Sequence, residues 1–145
     1  MMGYTIHWEM KEGAALAPEE VNAALLHLSV DYDHRVLRLE VYQPGRMVSL
    51  VPAREVAVEA FTISRTRKGI AAGSCTTNRI QPEDGEVKRL LVRLGRLLGD
   101  KLLIHCDDGC EYTAKGICVP SGHASQVTLA EATMLSVGGA GGDAV

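Results

Sequence analysis

Aromatic residues are scarce. The 145 residues include one Trp, one Phe and four Tyr, 4% of the chain. A core must therefore be built from Leu, Val, Ile and Ala, and the stacking platforms used in single-stranded nucleic-acid binding are in short supply. No run approaches the roughly 20 apolar residues that a membrane helix needs. The opening segment, MMGYTIHWEMKEG, has neither the basic n-region nor the apolar h-region of a signal peptide. No G-x-G-x-x-G follows a strand-like run, so the loop that cradles a dinucleotide is missing. These absences lead to the expectation of a cytoplasmic protein with reduced thiols. Its four cysteines then read as free, metal-bound or catalytic before they read as a disulfide framework.

What is present fits a folded domain. Hydrophobic residues make up 46% of the chain, too many for disorder as the main state. The length suits one α+β domain over residues 1–137, with a flexible Gly-rich tail at 138–145. Charge is unevenly spread. Residues 1–64 hold five basic and nine acidic side chains, residues 65–96 eight and three, and residues 97–145 two and six. A basic middle between acidic flanks suits an anion-binding face or a self-complementary oligomer.

Periodicity sets the elements. Tyr4 to Met10 alternates as a strand. In PEEVNAALLHLS, Pro18 suits a first helical position, and Val21, Ala24, Leu25 and Leu28 make one apolar face. Leu37, Leu39 and Val41 alternate with Arg38 and Glu40, as in a half-buried strand. Two more strand-like runs, MVSLV and VAVEAFTIS, are divided by Pro52, with the first read as an edge strand and the second as a core strand. A loop with a short strand at IAAGSC leads to the clearest element, PEDGEVKRLLVRLGRLLG. There Val87, Leu90, Leu91, Leu94, Leu97 and Leu98 form a stripe, and Gly99 suits the residue after the helix. The strand KLLIHC and a hairpin follow. Thr128 and Glu131 have capping-box spacing for a late short helix. The order β, α, β, β, α, β matches a ferredoxin-like split βαβ: one antiparallel sheet with two helices on one face, plus an appended C-terminal hairpin. That fold carries no function by itself.

The stretch from His105 to His123 holds three of the four cysteines. Cys106, Cys110, Cys118 and His123 follow C-x3-C-x7-C-x4-H, a candidate zinc set. Asp107-Asp108-Gly109 suits a three-residue hairpin loop with Gly109 left-handed. That register pairs Cys106 with Cys110 and Ile104 with Tyr112, which puts them on one apolar face. Cys118 would return opposite Thr113, about 10 Å along the strand from Cys110. Buried core thiols are thus expected ahead of zinc or a redox-active Cys106–Cys110 pair. His105 has the opposite parity and stands beside Asp107 and Asp108, a candidate acid/base group.

The run GSCTTNRIQP resembles the active-site signature of the glyceraldehyde-3-phosphate dehydrogenases through Ser74, Cys75, Thr76, Thr77, Asn78 and Ile80. By that resemblance Cys75 would be a thiolate nucleophile. The match spans fewer than a dozen residues, Gly73 departs from it, and the nicotinamide-binding domain of those enzymes has no counterpart here. A nearby helix N-terminus and Arg79 would favour the thiolate.

A third candidate is basic. Arg89, Arg93 and Arg96 recur at i, i+4, i+7 opposite the leucines, and Arg65, Arg67 and Lys68 precede them in a loop. Together they are candidates for phosphate or nucleic-acid contact. The expectation is a small cytoplasmic, non-catalytic binding or regulatory module that self-associates and has a protein partner. It has no cofactor and no membrane attachment. The alternatives are a phosphate- or nucleic-acid-binding protein using the basic helix face, with nucleic acid not favoured as a partner, and a thiol-dependent enzyme centred on Cys75.

Overall fold

The structure, a computed structural model, describes residues 3–113 and the backbone of residues 118–120. The candidate zinc ligand His123, the helix near Thr128 and the tail at 138–145 lie outside the described residues. The described chain is α+β, with two helices and two antiparallel sheets. Its elements are β1 (Thr5–Met10), α1 (Pro18–Ser29), β2 (Leu37–Gln43), β3 (Met47–Pro52), β4 (Phe61–Ser64), β5 (Gly73–Thr76), α2 (Glu83–Leu97), β6 (Leu102–Cys106), β7 (Cys110–Tyr112) and β8 (Cys118–Pro120). No helix among the described residues is long and apolar enough to cross a membrane.

Both helices form where the residue pattern places them. In α1, Pro18 opens the first turn, the Glu20 carboxylate accepts the Ala17 N–H at 2.9 Å, and Val21, Ala24, Leu25 and Leu28 are buried. In α2, Val87, Leu90, Leu91, Leu94 and Leu98 are buried, and Leu97 packs at the margin. Its end is a Schellman motif. Gly99 N–H donates to Arg96 O at 3.1 Å and Asp100 N–H to Gly95 O at 2.8 Å. Gly99 takes a φ of 69°, which costs glycine little.

The sheets depart from the expected plan. The strands form a five-stranded sheet in the order β5-β1-β6-β7-β8 and a three-stranded sheet in the order β2-β3-β4, not one sheet. β5 and β6 flank β1, both antiparallel to it, and α2 connects them. The strand that follows α1 goes instead to the second sheet. Within that sheet β3 is central and β4 terminal, the reverse of the expected edge and core roles. Pro52 is accommodated as the last residue of β3, and only Phe61–Ser64 of the VAVEAFTIS run pairs as strand. Val41, expected inside with Leu37 and Leu39, is 44% exposed beside a register shift between Val41 and Gln43.

The two sheets meet through Trp8 of β1 and Phe61 of β4, whose rings lie tilted with centroids 5.2 Å apart. Trp8 also lies across its strand partner Gly73. A Cβ on Gly73 would fall 2.5 Å from the indole, so only glycine fits there. The hairpin register agrees with the sequence reading: Ile104 pairs with Tyr112, and Gly109 is left-handed at φ 84°. Cys118 pairs with Tyr112, not Thr113.

Candidate functional site

The start of α2 is a closed polar network. Glu83, Asp84 and Glu86 suit the positive end of the helix dipole, but they do more than face solvent there. Each is less than a tenth exposed, and each has partners. Arg54 grips Glu83 through Nε at 2.6 Å and Nη2 at 2.8 Å, which holds the Glu83 carboxyl below its usual range. Asp84 accepts from the Thr77 hydroxyl and pairs with Lys88 Nζ at 2.8 Å. Glu86 accepts from Tyr32 at 2.7 Å and from Arg89. Burial, then the Glu86 bond, pushes the Tyr32 phenol upward.

The later turns of α2 are open. Gly85, Lys88, Arg89, Val92, Arg93 and Arg96, with Tyr112 from β7, line a groove of about 520 Å³. The helical residues fall at i, i+3, i+4, i+7, i+8 and i+11, a single face. Lys88 marks the inner wall. Its Nζ lies 4.9 Å from the Tyr4 ring centroid and 5.8 Å from that of Tyr112. Burial, the largest influence, opposes its charge, but the Asp84 bond together with the fields of Tyr112, Asp84 and Cys106 holds the ammonium above its usual range. Arg93 Nη2 donates to the neutral His27 carbonyl at 3.3 Å. A smaller cavity of about 100 Å³ shares Arg89 and Arg93 and adds Leu28, Tyr32 and Asp33.

The six expected basic residues therefore separate into two groups. Arg89, Arg93 and Arg96 share the α2 groove. Arg65 and Arg67 line a second hollow with Pro18 and Arg46, and Arg67 and Lys68 a third with Thr66, and neither hollow shares a residue with the first. Arg65 is held by Asn22 Oδ1 at 2.6 Å. Lys88 and Tyr112 were missed as site residues. Lys88 was detectable from its spacing, since it shares the arginine face, whereas Tyr112 arrives through strand pairing.

Cys75 does not suit nucleophilic chemistry. It is fully buried in β5, its thiol donates to Glu59 O at 3.3 Å, and burial, aided by Glu59 and Asp84, pushes its pKa up to about 12. The motif around it builds a strand end. Thr77 bonds Asp84, and Asn78 and Arg79 take left-handed backbone at φ 54° and 60°. That bend puts the Arg79 guanidinium 4.0 Å from the Tyr4 ring centroid and 3.5 Å from Asp108.

Cys106 is a buried free thiol, also pushed upward by burial. Cys110 is disulfide-bonded, so the two facing residues are not bonded to each other and Cys110 is not the free core thiol expected. Among the described residues, no group of three or more His, Cys, Asp or Glu side chains stands ready to hold a metal ion.

The outward face of the five-stranded sheet carries the histidines. His105 has the parity expected and stacks on His7, with ring centroids 5.0 Å apart and planes 15° apart. The carboxylate of the turn engages the other histidine: His7 Nε2 lies 2.9 Å from Asp107 Oδ1, and the Thr5 N–H donates to Asp107 Oδ2 at 2.9 Å. The His7 bond, with help from Thr5, lowers the Asp107 pKa.

No protein-family model, curated protein or solved structure matches the chain.

Proposed function

We propose that this protein is a non-catalytic binding module whose ligand is a small phosphorylated anion held in the α2 groove. The observation that carries this reading is the Arg93 guanidinium, set in a groove with Lys88, Arg89 and Arg96 and bonded to a neutral carbonyl. Arginine presents a planar fork suited to phosphate oxygens. The volume, about 520 Å³, lies within the range of small-ligand sites, roughly 300–1,000 Å³. Tyr112 offers a flat wall at the end of the row. One groove on one helix favours a small ligand over a nucleic-acid backbone, which needs charges spread along a track. Calorimetric titration with inorganic pyrophosphate and with a nucleoside triphosphate tests it. Saturable binding at low salt, weakened about tenfold in Arg93→Ala, is expected. No binding of either at low salt overturns it.

Self-association is a second part of the reading, favoured by β2. It is the terminal strand of its sheet, and Val41 and Tyr42 are 44% and 62% exposed on it. A terminal strand of a sheet is a template for pairing. Light scattering on the eluting protein gives the mass, and a monomer at high concentration removes this part.

A further inference from the structure

The basic residues that follow β4 stand apart from the α2 groove, and the anion-binding reading of that groove leaves them unused. Arg46 joins them in space. The β3–β4 ladder pairs Met47 with Ser64, and the next positions in that register are Arg46 and Arg65. The Arg65 N–H donates to Arg46 O at 2.8 Å, so the pairing continues there. Two like charges therefore stand directly opposite, which destabilises a sheet unless something offsets it. Among the described residues no carboxylate does so. Arg46, Arg65 and Arg67 form no ion pair there. No acidic residue lines their hollow, or the one that shares Thr66 and Arg67 with it.

Neutral groups anchor this cluster. The Arg65 guanidinium donates to Asn22 Oδ1 at 2.6 Å, an amide that positions it. Asn22 also backs the β2–β3 turn, since a Cβ on Gly45 would fall 3.3 Å from the Asn22 Cβ. Arg67 lies in a turn closed by Thr66 N–H to Gly69 O at 2.8 Å. The Lys68 carbonyl of that turn accepts the Leu16 N–H at 2.9 Å, which ties it to the segment entering α1. Two anchored loops thus bring three arginines, with Pro18 of α1, around one hollow of about 430 Å³. The Glu20 carboxylate in the first turn of α1 is spent on the Ala17 N–H.

We propose that Arg46, Arg65 and Arg67 form a second anion site, separate from the α2 groove, that takes a terminal phosphate group. Such a group carries a charge of about −1.5 to −2 near pH 7 and has three acceptor oxygens. It can face donors from both loops at once and offset the opposed Arg46 and Arg65 charges. The planar arginine fork suits those oxygens better than a lysine point charge does. A nucleic-acid backbone offers a single charge per phosphate, so it fits this cluster less well.

Amide NMR of the full chain, titrated with inorganic phosphate near neutral pH at constant chloride, tests this. Saturable shifts are expected at Arg46, Met47, Arg65, Thr66 and Arg67. Affinity falls more than tenfold in Arg46→Ala and in Arg67→Ala. Both side chains are exposed, and circular dichroism reports whether each variant is folded. Arg67→Ala alone decides the outcome if Arg46→Ala does not fold. Dimethyl phosphate, a diester, binds at least tenfold more weakly. Glycerol phosphate set against a short phosphoserine peptide separates a small-molecule source from a protein one, the tighter binder naming it. Arg93→Ala leaves these shifts intact, so the outcome does not depend on the α2 groove. Absence of saturable shifts at these residues, affinity unchanged in Arg67→Ala, equal binding of the diester, or loss of the shifts in Arg93→Ala overturns the proposal.

Discussion

The two ends of α2 use charge in opposite ways. At the start of the helix, Glu83, Asp84 and Glu86 are buried and matched by Arg54, Thr77, Lys88, Tyr32 and Arg89. Further along, Arg93 and Arg96 line a groove open to solvent. A buried charge without a partner is costly, so the first turn must be closed on itself. A partly exposed charge such as that of Arg93 carries no such demand. The helix is thus fixed at one end by the same chemistry that leaves the other end free to bind.

The largest effect is expected at the closed end. Asp84→Ala removes the carboxylate facing Lys88 and leaves that ammonium half-buried between two tyrosine rings. Breaking a buried pair from one side costs about 3–5 kcal/mol, and urea unfolding measures it. A loss below about 1 kcal/mol would show that the network is no more than surface pairing. Next is Gly99→Ala at the far terminus. Its φ of 69° demands left-handed backbone, so about 1 kcal/mol is expected, read by the same unfolding curves, with no change in ligand affinity.

A smaller effect separates the ends by pH. The Arg54 bond lowers the folded-state pKa of Glu83 below the ordinary carboxyl range. A depressed carboxyl contributes stability above the unfolded pKa and loses it as pH falls through the folded one. Stability should therefore fall below about pH 4.5, and Glu83→Gln should flatten that acid limb. Arg54 is about half exposed, so solvent screening keeps the effect modest. Thermal melts from pH 3 to pH 6 (a range set by carboxyl titration) check the sign.

Much of this was readable from local pattern. The stripe Val87 to Leu98 and the arginine spacing lie on one helix, where sequence separation fixes geometry. The Ile104–Tyr112 register followed from one three-residue turn and face consistency. What escaped is non-local. Pairing β1 with β5 and β6 joins His7 to Ser74 and to His105 across most of the chain, and no local period encodes that choice. For the same reason the division into two sheets was not foreseen, and the carboxylate beside His105 in sequence was found on His7 in space. At Cys75 local pattern and environment part. Its neighbours spell a catalytic run, but burial decides thiol chemistry, and β5 places it at 0% exposure.

The smallest stability change is expected where the functional change is sharpest. Arg93 is partly exposed and gives one long bond to a backbone carbonyl, and Arg96 is exposed on the same face. Substituting Arg93 with Ala should move unfolding free energy by less than about 0.5 kcal/mol. The same substitution should weaken pyrophosphate binding about tenfold, because it removes a charged donor that a phosphate would engage. The pair of readouts is what distinguishes the two ends. Asp84→Ala lowers stability first and binding only through it, whereas Arg93→Ala lowers binding in a fold that melts where the parent melts. If Arg93→Ala instead destabilised the protein by 2 kcal/mol or more, its guanidinium would belong to the packing between α1 and α2. The groove would then lose its central ligand-facing charge, and the contrast between a closed and an open end would fail at the residue on which it depends.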